Sequence, residues 1–154
     1  MGSTTLTRSL LVDTSLMGIV TDALGTAVAG TGTYSDDDLG KGVKIDTDSY
    51  VAVAVGDQIE GIVNSVEPGV RNSGYSWGGI QTTGRALAVV ADAQVTTAMA
   101  VGDLVCAAIP IASGLAVQSN GTGYAAPTEF LWRCIRVISG TGLVAGDSVL
   151  IERI

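Results

Sequence analysis

The chain contains no histidine. The commonest general base and metal ligand is therefore missing, and imidazole-based catalysis is excluded with it. Basic side chains are also scarce: 8 Lys and Arg stand against 15 Asp and Glu, for a net charge of -7. Nucleic-acid binding needs a basic stripe to meet phosphates, and docking on an anionic membrane needs a basic patch; the sequence offers neither. Aromatics are few, with four Tyr, two Trp and one Phe, so Val, Ala, Leu and Ile must fill the core. Cys106 and Cys134 are the only cysteines. They lack a CxxC spacing and read as two buried, reduced thiols. The uncharged stretch from Leu104 to Thr128 is interrupted by Pro110, Gly114, Gln118, Ser119, Asn120 and Gly121, so it does not read as a spanning helix. The N-terminus shows no secretion signal, its only apolar patch being Leu10 to Val12. These absences predict a soluble protein made in a cytoplasm, with neither nucleic acid nor membrane as partner.

Glycine is plentiful. The 21 Gly are roughly twice the average share, which signals tight turns and bulges rather than long helices. At 154 residues the chain has the length of one domain and needs no disulfide or metal to hold a core. Residues 1–35 read as an N-terminal arm and loop region: Thr4 to Val12 is extended, and Ser15 to Val28 is an apolar stretch compatible with a helix, although Gly18 and Gly25 weaken it. Residues 36–154 read as a β-barrel domain. Strands are predicted at Val43 to Ile45, Tyr50 to Val55, Ile59 to Val66, Tyr75 to Gln81, Arg85 to Val90, Leu104 to Ile111, Phe130 to Ile138 and Ser148 to Ile154. The predicted class is all-β, a small β-barrel or β-tulip-like domain with an extended N-terminal arm.

One dipeptide recurs in a fixed setting. Val55-Gly56-Asp57-Gln58-Ile59 returns as Val101-Gly102-Asp103-Leu104-Val105 and as Ala145-Gly146-Asp147-Ser148-Val149. A turn that opens a strand explains the pattern. Glycine takes a positive φ, the aspartate carboxylate accepts backbone N–H groups, and the β-branched residue two places later starts the ladder. Either an internal duplication or one turn solution reused within a barrel accounts for the three copies.

No motif assembles into an active site. Gly140-Thr141-Gly142-Leu143-Val144-Ala145 matches G-x-G-x-x-A, but a phosphate loop needs a helix after it, and here a strand follows. Asp36-Asp37-Asp38 and Asp46-x-Asp48 resemble calcium-binding acidic clusters, but an EF-hand loop starting at Asp46 meets Val51 where Gly belongs and Asp57 where Glu belongs. They read as solvated turns. Glu60, Glu67, Glu129 and Glu152 form no recognisable acid–base pair, and no S-x-x-K motif supplies a lysine base. The sequence predicts no enzyme, no cofactor and no metal.

Binding to a partner is left as the function class. Thr4, Leu6, Arg8 and Leu10 alternate along the arm and suit strand addition on a partner's edge. Tyr75 and Trp77 lie at a loop–strand junction, either as an interface anchor or as core filling. Alternation also places Trp132 and Cys134 on one face of a late strand and Arg133 and Ile135 on the other.

The order of several short motifs resembles a known family. Leu39-Gly40-Lys41-Gly42-Val43-Lys44-Ile45 is followed by an alternating Val/Ala strand and by Gly56-Asp57-Gln58-Ile59-Glu60-Gly61-Ile62-Val63. Gly84-Arg85-Ala86-Leu87-Ala88-Val89-Val90 and Val101-Gly102-Asp103-Leu104-Val105 come after. This order is similar to that of the capsid decoration, or cement, proteins of tailed bacteriophages, and it covers less than half of the chain. The resemblance implies a β-barrel or β-tulip-like domain on the outside of a phage head, assembled in the bacterial cytoplasm. There it would bridge major capsid proteins as a homo-oligomer, a trimer being favoured. A phage tail or receptor-binding module that recognises glycans is the alternative, with Tyr75, Trp77 and Tyr124 as candidate contacts.

Overall fold

The computed structural model of the protein describes residues 18–25, 34–67, 75–90, 99–108, 114–119, 131–140 and 146–154. Ten strands run through them: β1 (Ile19–Leu24), β2 (Gly42–Asp46), β3 (Ser49–Ala52), β4 (Gly61–Val66), β5 (Ser76–Gln81), β6 (Arg85–Val90), β7 (Leu104–Ala107), β8 (Ala116–Ser119), β9 (Trp132–Ser139) and β10 (Ser148–Arg153). One 3-10 turn at Asp36–Asp38 is the only helical element among the described residues. The protein is all-β, as its glycine and β-branched content predict.

The strands close into two barrels rather than one. The first has the order β1-β3-β2-β4-β5, and the second has the order β10-β6-β8-β7-β9. Nearly all neighbours are antiparallel. The parallel pairings are β1 with β3, at Leu24 opposite Tyr50, and β6 with β8. Leu24, Val43, Tyr50, Val63 and Ile80 fill the first barrel. The second is filled by small and β-branched residues, among them Ala86, Ala88, Val90, Val117 and Val149, around Trp132. This is the core that a chain poor in aromatics can build. Glycine makes room where strands approach closely: a Cβ on Gly78 would lie 2.0 Å from the carbonyl oxygen of Ser65.

Two strands arise where the sequence pattern pointed elsewhere. The stretch Ser15 to Val28, compatible with a helix by composition, contains strand β1. Its six residues pair along their whole length with β5, from Ile19 opposite Gln81 to Leu24 opposite Ser76. Tertiary pairing overrides the local preference here. The expected boundary at residue 36 thus falls between two strands of the same barrel. Strand β8 lies in the uncharged stretch after Leu104, where Gly114, Gln118 and Ser119 hide the pattern. All four of its residues are buried, so it has no polar face to mark it. The strand expected to run from Tyr50 to Val55 stops at Ala52, because the chain turns there toward Gly56.

The two barrels share a junction. Ile59 and Ile62 come from the first barrel's side of the chain but pack in the core of the second. Burying two isoleucine side chains stabilises the junction by roughly 3–6 kcal/mol before entropy is counted. The Trp132 indole N–H donates to the Ile59 carbonyl at 3.0 Å, and the Arg153 guanidinium donates to the Glu60 carbonyl at 3.2 Å. The Arg153 guanidinium also lies 5.8 Å from the Trp132 ring centroid, so the cation covers the core tryptophan.

Candidate interaction surface

The repeated Gly-Asp dipeptide is a backbone clamp. Gly56 N–H donates to the Ala107 carbonyl at 2.8 Å, and Ala107 N–H donates back to the Asp57 carbonyl at 2.9 Å. Gly102 and Asp103 make the same pair of bonds with Cys134, at 2.7 and 2.8 Å. Gly146 and Asp147 make it with Val90, both at 2.9 Å. The three glycines have φ values of 83°, 99° and 89°, as a left-handed turn requires. The Asp57 and Asp103 carboxylates accept the N–H groups of Ala54 and Ala100, at 2.7 and 2.8 Å. Ala107, Cys134 and Val90 lie on β7, β9 and β6, so all three clamps grip the second barrel. Strands β7 and β10 follow their clamps directly. After Gly56-Asp57 the ladder opens only at Gly61, because Gln58 to Glu60 cross from one barrel to the other.

Trp77 lies on β5, Tyr75 immediately precedes that strand, and both are partly exposed. Trp77 stands opposite Ala23 of β1, and Ile19 lies within contact distance of Gly79. These residues point away from the first barrel's core, whose β1 member is Leu24. Ile19, Thr21 and Trp77 therefore share one outward face, with Ala23 and Gly79 buried on the same side of the strands. Tyr75 donates its hydroxyl to the Asp48 carboxylate at 3.0 Å, which pushes the tyrosine pKa up. Thr4, Leu6, Arg8 and Leu10 lie outside the described residues, as do Tyr124 and Glu129.

Sequence reasoning missed the free edge of β1. Thr82 N–H donates to the Gly18 carbonyl at 2.8 Å, so the Gly18–Thr82 pair is hydrogen-bonded. Antiparallel alternation then turns the backbone groups of Ile19, Thr21 and Ala23 away from β5. On that side β1 meets β3 only at its C-terminal end, at Leu24, where Gly25 N–H also donates to the Tyr50 carbonyl. Among the described residues, no strand pairs with Ile19 to Asp22 on that side. The Asp22 carboxylate covers part of the edge by accepting Ala23 N–H at 2.7 Å. Ile19 and Val20 are 48% and 41% exposed, unusually high for apolar residues of a barrel strand. The β-branched run Ile19-Val20-Thr21 was the available signal, masked by the apolar residues around it.

Other charged groups tie neighbouring elements together. In the acidic turn, Ser35 and Asp38 form a capping box, and Lys41 pairs with Asp38 at 2.8 Å. Burial raises the Asp38 pKa, but hydrogen bonds from Lys41 and Ser35, together with the Lys41 charge, outweigh it and hold the carboxyl below its usual range. Lys44 pairs with Asp57 at 2.7 Å, which links β2 to the first clamp. On the second barrel, Glu152 lies between Arg85 and Arg133, at 3.1 and 3.2 Å. Hydrogen bonds from both arginines lower its pKa. Cys106 and Cys134 are free and buried, and burial pushes both thiols up, away from the reactive thiolate. Tyr34 carries a buried hydroxyl with no hydrogen-bond partner among the described residues, and burial followed by the Asp38 charge pushes its pKa up to about 12.

Among the described residues, no three His, Cys, Asp or Glu side chains are grouped so as to hold a metal, and no helix is long and apolar enough to cross a membrane. The arrangement is that of a clamped, two-barrel block with Ile19 and Trp77 on one outward face and, among the described residues, an unpaired stretch of strand edge on β1. No protein-family model matches the chain, and neither curated proteins nor solved structures yield a match.

Proposed function

We propose that this chain is a structural decoration protein that binds the outer surface of a phage head and bridges neighbouring major capsid proteins. The observation that carries the reading is the first clamp. Gly56 and Asp57 bond to Ala107 of the other barrel, and Trp132 bonds back to Ile59. Two barrels tied in this way make a stiff block, as an element that resists shell expansion requires. The family-like motifs fall on this framework: Gly42 to Ile45 lies in β2, Gly61 to Val63 opens β4, and Arg85 to Val90 is β6. The outward face around Tyr75 and Trp77 is the surface offered to the shell. An acidic exterior would keep the unbound protein soluble.

The test is co-sedimentation of the purified protein with undecorated capsids. Binding that saturates at a fixed ratio to the capsid subunits, and that weakens in Trp77→Ala, supports the proposal. A protein that stays in the supernatant with every capsid tested, yet binds a glycan array, overturns it in favour of a tail or receptor-binding role.

A further inference from the structure

Closed barrels have no strand edges, and that is how they avoid pairing with other chains. The first barrel breaks this rule along β1. The N–H and C=O groups of Ile19 and Thr21 face away from β5, and among the described residues no strand meets them; only the Ala23 carbonyl, at the end of this edge, lies within the parallel bridge to Tyr50. Beside this edge stand two exposed apolar side chains, Ile19 and Val20, one hydroxyl, Thr21, and one carboxylate, Asp22. An incoming strand that fits must bring backbone groups of matching spacing, a cation opposite Asp22 and apolar residues opposite Val20 and Ile19.

The chain itself carries such a segment ahead of β1. Arg8 is the only basic residue before Gly18. When Arg8 is set antiparallel to Asp22, Ser9 falls opposite Thr21, Leu10 opposite Val20 and Leu11 opposite Ile19. Charge meets charge, hydroxyl meets hydroxyl, and both leucines cover exposed apolar residues. The backbone phase agrees as well. Ser9 and Leu11 stand opposite Thr21 and Ile19, whose polar groups point outward, while Arg8 and Leu10 occupy the non-hydrogen-bonded positions where side chains approach most closely. The parallel arrangement with Arg8 opposite Asp22 sets Thr5 against Ile19 and leaves that residue uncovered.

The donor is a second copy. Gly18 is held in line with β1 by Thr82 N–H on its carbonyl and by the Thr83 hydroxyl on its own N–H. A return of the same chain onto its own β1 would need residues 12–18 as the loop, longer than the roughly two to five residues that hairpins favour. An arm from a neighbouring molecule needs no turn. We propose that the free edge of β1 receives Arg8–Leu11 of a second copy as an antiparallel strand. Each copy then gives one arm and receives one, so a closed ring satisfies every edge. The inference does not depend on a capsid partner.

Sedimentation velocity of the full chain over a wide concentration range tests it, beside three variants. Deleting residues 2–14 removes the donor strand. Thr21→Pro removes an outward N–H while leaving the β1–β5 ladder intact, since that N–H does not serve it. Arg8→Asp sets like charges opposite each other and should weaken association by about tenfold, and the exchange Arg8→Asp with Asp22→Arg should recover most of the loss. The arm deletion and Arg8→Asp change no residue of β1 to β10, so they remain informative if Thr21→Pro misfolds. A full chain that is monomeric throughout overturns the proposal. So does association that survives arm deletion, or protection of the Thr21 amide from hydrogen exchange in a monomeric sample, which would place the arm on its own β1.

Discussion

The indole of Trp132, on β9 of the second barrel, donates its N–H to the carbonyl of Ile59, on the connection that leads into β4 of the first. The two residues are 73 positions apart in the chain, and both are fully buried. One hydrogen bond thus ties the largest core side chain of one barrel to the backbone that enters the other. Trp132→Phe keeps an aromatic ring but removes the donor and leaves the Ile59 carbonyl unpaired in an apolar setting. The expected loss is about 2–4 kcal/mol, combining the unsatisfied acceptor with the vacated volume. Chemical denaturation followed by far-UV circular dichroism measures it. If the barrels are coupled, both lose stability in a single transition; a separate early transition would show that the junction is weaker than argued.

The clamps should fail through backbone conformation rather than through crowding. A Cβ at Gly102 meets nothing within 4 Å, yet φ there is 99°. Gly102→Ala should therefore cost about 1–2 kcal/mol, and Gly102→Val somewhat more, as β-branching adds strain. Gly140 differs, because a Cβ there would lie 1.6 Å from the Asp147 carboxylate. Gly140→Ala must displace that side chain as well as strain the backbone, so it should destabilise more than Gly102→Ala. Thermal melts of the two variants compare them directly. Equal losses would mean that Asp147 moves aside freely.

Tyr34 gives the protein an alkaline limit. Its pKa is pushed up to about 12 in the fold, against about 10 in an unfolded chain. A raised tyrosine pKa means that the folded state holds the proton longer than the unfolded state does. The stabilisation is complete below pH 10 and is lost as the pH rises toward 12. Tyr34→Phe removes this contribution and also removes a buried hydroxyl that lacks a partner among the described residues. The variant should be as stable as the parent at neutral pH, or up to about 1 kcal/mol more stable, and less sensitive between pH 10 and 12. A clear destabilisation at neutral pH would reveal a partner for that hydroxyl.

Glu152 acts at the acid end. Hydrogen bonds from Arg85 and Arg133 lower its pKa. A lowered carboxylate pKa stabilises the fold above the ordinary carboxylate value, and the contribution is lost as the pH falls through the depressed one. The group is solvent-screened, so Glu152→Gln should cost less than about 1 kcal/mol at neutral pH and low salt, with the difference shrinking in high salt. Melting temperatures of both proteins across pH and salt decide this. A loss that persists in high salt would point to packing instead of charge.

The all-β class and the three clamp positions follow from local chemistry and were legible in the chain. A positive φ needs glycine, a turn carboxylate seeks neighbouring N–H groups, and alternating Val and Ala reads as strand wherever it stands. Arg85 to Val90 accordingly forms a strand over its full expected length. The candidate surface was legible only in part. Tyr75 and Trp77 could be picked out as aromatics beside glycines, but nothing local told that Trp77 shares an outward face with Ile19. Whether a strand has a partner on each side depends on residues far away in sequence, so neither the free edge of β1 nor the existence of two barrels was visible. The same holds for β1 itself, which is apolar enough for a helix and becomes a strand because β5 pairs with all six of its residues. Composition and turn chemistry determined that this protein is built of strands. Long-range backbone pairing alone decided which strands meet, where the Gly-Asp clamps bite and which edge finds no partner among the described residues.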